Sequence, residues 1–216
     1  EIDGIRSAVK SKLGRITEEV ILLSGPGNFR CALAKQRPYK GNRDPEHKPY
    51  HYQAIRDYIT EKGGTVIHGR EADDEASILA WRARRARRKY VVATIDKDLD
   101  QIPGQHFDYR QKVFYNVDEA TARRWFWTQA IAGDATDNIP GVPRMGPAKA
   151  RDFLDALGTD DELVIWKAIV ELYESKGLSE EVALETARLV YMQQNAGELW
   201  NKPGVPMGTM ETGIDD

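Results

Sequence analysis

Seven acids fall into three groups along the 216-residue chain: Glu71, Asp73 and Asp74 in EADD, Asp96 and Asp98 in DKD, and Asp134 and Asp137 in GDATDN. Carboxylates are the oxygen donors that hard divalent cations such as Mg²⁺ or Mn²⁺ require. Two such ions about 3.5–4 Å apart activate water and stabilise a leaving oxygen in phosphoryl transfer. Without ions, seven carboxylates brought together would repel one another. Each group also has an ordinary use. Acids favour the first turn of a helix, so EADD can be capping; DKD can be a solvated turn after a strand; GDATDN can be an N-cap. Three ordinary uses in one chain explain the joint pattern less well than one shared ligand.

The third group runs straight into opposite chemistry. GDATDNIPGVPRMGPAKAR (133–151) passes from two aspartates three residues apart to glycines and prolines, then to Arg144, Lys149 and Arg151. Acids attract cations, whereas a glycine turn backed by bases attracts phosphate. A nucleic acid held by its backbone and cut by metal ions satisfies both halves. In IPGVPRMGPAKA, Gly141 and Gly146 would let backbone N–H groups approach a phosphate. The ordinary alternative is a tight connection between helices with solvated bases.

Which elements must position these groups can be read from periodicity. Ile2, Ile5, Val9 and Leu13 predict an amphipathic helix closed by Gly14, and VILLS (20–24), TVIHG (65–69) and YVVATI (90–95) predict strands. Residues 52–62 and 71–88 have helical spacing, as does most of the chain after residue 118. Strand, helix and strand in alternation imply an α/β fold, with a mostly parallel central sheet flanked by helices. In such sheets ligands gather at the carboxyl ends of the strands, where Asp96 and Asp98 follow YVVATI and the EADD acids follow TVIHG. The tail from Lys202 has few core candidates and predicts a loose arm.

Composition narrows the classes. Thirty-one Lys and Arg against 34 Asp and Glu give a net charge of −3, which argues against indiscriminate polyanion binding and requires locally segregated charge. The single cysteine, Cys31, excludes an internal disulfide framework, and no apolar stretch approaches the ~20 residues of a membrane span. A reducing cytoplasm and no membrane partner are expected. The chain opens EIDGIRSAVKSKL with no Met, signal or transit pattern, so a segment upstream of Glu1 is expected.

YKGNR (39–43), EADD (71–74), DKDL (96–99) and GDATDNIPGV (133–142), in this order, resemble the flap endonuclease or 5′ nuclease family, and most of all its phage 5′→3′ exonucleases and the 5′→3′ exonuclease domain of bacterial DNA polymerase I. The resemblance covers about residues 20–155. It implies a monomeric, metal-dependent hydrolase acting on duplex DNA with a 5′ end or flap, which leaves a 5′-phosphate. By motif position Glu71, Asp73, Asp74 and Asp96 would serve a first metal, and Asp98, Asp134 and Asp137 a second. Lys40 and Arg43 would be catalytic cations in a gate over residues 37–52, and Arg30 of NFR would assist at the DNA. A helix-three-turn-helix over 129–200 would grip duplex DNA through Gly141, Arg144, Gly146, Lys149 and Arg151, with K⁺ in the turn. The implied division is therefore a nuclease core over 1–128, this DNA-binding region, and a tail over 201–216.

Several features depart from the family. Its first-strand aspartate has no counterpart, since Asp3 lies on a helical pattern, so a missing first strand is expected. Leu23 and Ser24 stand where a second aspartate is usual, and Arg144 where a further glycine is. From these departures the chain as given is expected to be a poor nuclease that still grips duplex DNA. They also leave open a non-catalytic DNA-structure-binding protein of the same fold, which the retained acids oppose. An RNA-cutting relative is disfavoured by the duplex-gripping turn.

Other residues carry two readings each. Tyr39, Tyr50 and Tyr52 could stack on an unpaired base or simply pack. Arg82, Arg84, Arg85, Arg87 and Arg88 invite a DNA reading, but on the helix over 71–88 they spread around the circumference as a solvated surface. Trp125, Phe126 and Trp127 read as core, Asp100 as a solvent residue, and His47, His51, His68 and His106 share no metal-ligand spacing.

Overall fold

The structure is a computed structural model that describes residues 1–44 and 48–210. The predicted gate (37–52) and tail (201–216) therefore lie partly outside the described residues. The chain forms two compact units. One comprises Glu1–Gly27 and Pro49–Ala122; the other comprises Asn28–Lys48 and Arg123–Asp216. Residues 28–48, expected with the nuclease core, thus belong with the C-terminal half.

The first unit is α/β. Helix α1 (Ile2–Leu13) ends at Gly14, whose φ of 86° only glycine adopts cheaply. Strand β1 (Leu22–Ser24) pairs in parallel with β2 (Thr65–Ile67), Leu22 opposite Thr65 and Ser24 opposite Ile67. A short helix α2 (Arg30–Leu33) belongs to the second unit, and α3 (Tyr52–Glu61) precedes β2. Helix α4 (Ala72–Arg85) follows β2 and buries Asp74, Ser77, Ile78 and Ala80. It stops three residues before the predicted end.

Strand β3 (Val91–Thr94) runs parallel to β4 (Gly104–Asp108), which pairs antiparallel with β5 (Val113–Val117). The parallel pairs are as expected; the β4–β5 hairpin is an addition. Among the described residues the expected single sheet is divided into this three-stranded sheet and the β1–β2 pair. Ile67, Ile78, Leu99, Ile102, Phe107 and Val117 are buried in this unit.

The second unit is chiefly helical. Helix α5 (Glu119–Ala132) leads into a minimal hairpin, β6 (Gly133–Asp134) with β7 (Ile139–Pro140), followed by α6 (Pro147–Leu157), α7 (Glu162–Glu174) and α8 (Glu180–Val190). Phe126 and Trp127 are buried with Trp166, Ile169 and Tyr173, as their core reading predicts. The segment expected to be a loose arm is instead docked as far as it is described. Within it, β9 (Gly208–Thr209) pairs with the preceding strand β8 (Glu198–Leu199), and Lys202 Nζ lies 2.9 Å from Glu180.

Candidate active site

In the second unit, the hairpin β6–β7 shapes the GDATDN loop. Gly133 has φ 68°, and a Cβ there would lie 2.3 Å from the Ile139 carbonyl oxygen. A Cβ on Gly141 would lie 2.2 Å from the Ala132 carbonyl carbon. Gly141 is thus required where the chain crosses itself. The loop closes locally: Asp134 Oδ1 accepts the Thr136 amide at 2.7 Å, an Asx turn that leaves Asp134 half-buried at the hairpin.

YKGNR docks on this loop within the same unit. The Tyr39 hydroxyl donates to Asp137 Oδ2 at 2.7 Å, Arg43 pairs with Asp137 Oδ1, and Lys40 Nζ lies 3.4 Å from Oδ2. Backbone and amide bonds fix the register. The Lys40 amide donates to the Asp137 carbonyl at 2.8 Å, Asn42 Nδ2 to Ala135 O at 2.8 Å, and Asn138 Nδ2 to Pro38 O at 2.9 Å. Lys40 and Asn138 adopt left-handed φ of 55° and 60° to achieve this. Asp137, with a side chain 15% exposed, therefore has its charge balanced by two cations and a phenol. Of the two readings of Tyr39, packing holds: it is a buried residue that fixes this carboxylate. Asn42 and Asn138 were missed as anchors, although both stand inside the quoted motifs.

Arg30 is also corrected. It is 4% exposed, and its Nε and Nη2 donate to the carbonyls of Leu189 and Tyr191 at 2.8 and 2.7 Å. A guanidinium so placed closes the C-terminal end of α8 and is withdrawn from solvent.

The turn after β7 is open to solvent. Arg144, where a glycine was expected, takes a glycine-like φ of 66°, so the turn keeps its conformation with a cation exposed. Gly146 precedes α6 with open space where a Cβ would stand, Lys149 Nζ reaches the Arg144 carbonyl at 3.3 Å, and Arg151 is exposed on the same helix.

In the first unit the remaining acids occupy starts of elements. Glu71 and Asp74 form a reciprocal capping box at the start of α4, with Asp74 fully buried, and Arg70 pairs with Glu75. Ser24 Oγ accepts the Ala72 amide at 2.9 Å, so the serine that replaces an expected aspartate helps to cap the same helix. Asp96 Oδ1 accepts the Asp98 amide at 3.0 Å, and the 3₁₀ turn Lys97–Gln101 follows. Asp100, expected in solvent, accepts the Tyr115 hydroxyl at 2.8 Å and lies 3.9 Å from the Nδ1 of buried His106. Burial holds the His106 imidazole below its ordinary pKa, against the opposing pull of the Ile102 carbonyl and Asp100. Carboxylates are the right donors for a hard divalent cation. Among the described residues, however, no three acid, histidine or cysteine side chains are spaced to hold one, so the donors fit in kind and not in arrangement.

Comparison with known proteins gives one direction. No family model matches the chain. It is 31% identical to DNA polymerase I of Deinococcus radiodurans over 155 residues, 66% of this chain and 16% of that protein. It is 30% identical to the flap endonuclease Xni of Cronobacter sakazakii over 140 residues, 58% of this chain and 55% of that protein. The matches therefore span little more than half of the flap endonuclease and about a sixth of the polymerase. Among solved structures, the T5 D15 protein co-crystallized with metal ions superposes with a TM-score of 0.64 over 88% of this chain and 80% of its own, at 23% identity. The bacteriophage T5 D15 flap endonuclease in a pseudo-enzyme-product complex with DNA and metal ions gives 0.62 over 88% and 78%, at 20% identity. The fold is thus that of the T5 D15 protein, and the sequence relatives that match part of the chain are a DNA polymerase I and a flap endonuclease.

Proposed function

We propose that the chain is a 5′→3′ nuclease acting on DNA, exonucleolytic and also able to cut flaps, which hydrolyses phosphodiester bonds with the help of two divalent cations. The observation that carries this reading is the docking of YKGNR on GDATDN. Two cations are held at the edge of an acidic loop, where they can meet both a phosphate and a carboxylate. When bound, the ions would supply Lewis acidity to the scissile phosphate and lower the pKa of water. By motif position alone, Glu71, Asp73, Asp74, Asp96 and Asp98 in the first unit and Asp134 and Asp137 in the second would be the ligands, and Lys40 and Arg43 would neutralise the phosphate. The exposed Arg144, Lys149 and Arg151, with the bare Gly146 at the start of α6, suit the backbone of a duplex. A K⁺ ion in that turn belongs to the same proposal, as do a monomeric state and the preference for a 5′ end or flap.

Asp134→Ala is expected to abolish Mg²⁺-dependent cleavage of a 5′-labelled duplex while leaving duplex binding in Ca²⁺ unchanged. Normal cleavage by that variant would overturn the proposal. A second reading, a DNA-structure-binding protein without chemistry, is favoured by two observations: Asp137 is already paired with Tyr39, Lys40 and Arg43, and no three ligands stand together among the described residues. Duplex binding with no cleavage in Mg²⁺ or Mn²⁺ would select it.

A further inference from the structure

The strongest concentration of charge in the molecule lies outside the site described. Residues 76–95 contain no acid, and six cations, Arg82, Arg84, Arg85, Arg87, Arg88 and Lys89, fall within eight positions of a chain whose net charge is −3. Cations in the last turn of a helix are ordinarily explained by the macrodipole, which covers Arg82, Arg84 and Arg85. Arg84 is further accounted for by its pairing with Glu119. Neither explanation reaches Arg87, Arg88 and Lys89, because α4 has already ended. The sequence-based view of these residues as spread around a helix therefore fails at Arg85, where the helix stops.

The way in which it stops is informative. The Arg88 amide donates to the Ala83 carbonyl at 2.8 Å and the Arg87 amide to Arg84 at 2.9 Å, the two bonds of a Schellman turn, with Arg87 at φ 55°. Glycine is the low-strain residue at that position, and arginine there is strained. Just beyond, the half-buried Tyr90 donates its hydroxyl to the Pro103 carbonyl and packs over Gly104, which fixes the far end of the cationic segment. Arg82, Arg87, Arg88 and Lys89 are exposed on this fixed turn, and none of the large exposed hydrophobics lies among residues 82–90. A surface of cations with no apolar anchor suits a phosphodiester backbone better than a bilayer or a protein interface.

We propose that Arg82, Arg87, Arg88 and Lys89 form a second nucleic-acid contact that holds the phosphate backbone of duplex DNA. It lies at the opposite end of α4 from Glu71 and Asp74, about 20 Å away at 1.5 Å per residue. The contact rests on the reading of the chain as a DNA-acting protein but not on cleavage. It would let the protein engage duplex beyond the segment that reaches the acids.

The test is the affinity for a labelled 24-base-pair duplex in EDTA across a salt series, read by fluorescence anisotropy. Four phosphate contacts contribute about 0.9 each to the slope of log K against log salt. Replacing Arg82, Arg87, Arg88 and Lys89 by Ser should therefore flatten the slope by about three to four. A slope within about half a unit of the parent overturns the proposal. So does loss of polyglutamate binding with an unchanged DNA slope, which would assign the surface to an acidic protein. Arg87→Gly is the control for folding. It should raise the melting temperature while weakening duplex binding by severalfold, and a lowered melting temperature would show that Arg87 serves the fold instead. Absence of cleavage by the parent chain in Mg²⁺ would count against the nuclease reading alone, since these measurements need no turnover.

Discussion

Asp137 shows how one side chain can answer to two kinds of cation. Tyr39, Lys40 and Arg43 already satisfy its carboxylate, so any divalent ion drawn to it competes with an ion pair that is half exposed at the Arg43 end. Exposed pairs of this type are worth about 1 kcal/mol or less. Arg43→Ala should therefore bind Ca²⁺ up to about fivefold more tightly by calorimetry, while losing the cation meant for the phosphate. Weaker Ca²⁺ binding would show that Arg43 organises the loop rather than competing for it. At this scale the sequence was a good guide to residue types and a poor guide to their present partners. Lys40, Arg43 and Asp137 were all named from motifs and do meet. Yet Arg30, named in the same way, serves the interior. Burial, a non-local property, decides between an arginine for phosphate and an arginine for carbonyls, and no spacing reveals it.

At the scale of elements, that buried arginine becomes a joint. Arg30 at the start of α2 ties a short helix to the end of α8, 159 residues later in the chain. Charge-assisted hydrogen bonds made in the interior are worth about 1.5–3 kcal/mol each. Arg30→Met is thus expected to lower the stability by about 3 kcal/mol or more, seen as an earlier urea midpoint, with any loss of DNA binding following from unfolding alone. Unchanged stability would refute the joint. The strands that precede acids were legible because YVVATI and TVIHG are short apolar runs ending in turns. The β4–β5 hairpin was not, because GQHFD and VFYNV mix polar residues with aromatics and lack a clean alternation. The tail was misread for a related reason. Its composition is that of a loop, yet the ion pair of Lys202 with Glu180 and the pairing of β9 with β8, neither visible in local spacing, hold its described part in place.

For the whole molecule, pH gives a probe confined to the first unit. The His106 imidazole, fully buried beside Tyr115 and below its ordinary pKa because of burial, resists protonation in the folded state. The unfolded chain takes up that proton as pH falls below about 6.5. The stability that His106 contributes is therefore complete above this value and is lost as the pH falls towards the depressed folded value. Melting temperature should decline between about pH 7 and about pH 5.5, and His106→Gln should flatten the decline; an equal slope in the variant would remove His106 as its source. The division into two units has an optical consequence. Four of the five tryptophans, Trp125, Trp127, Trp166 and Trp200, belong to the second unit, and the rings of Trp127, Trp166 and Trp200 lie 5.2–6.4 Å apart. At such separations excitation passes freely among the indoles, so they emit as one coupled chromophore. Only Trp81 reports from the first unit. Intrinsic fluorescence of this protein is thus mainly a signal from the half that carries the GDATDN hairpin and the exposed turn, and the arrival of a ligand there can be followed without attaching a dye.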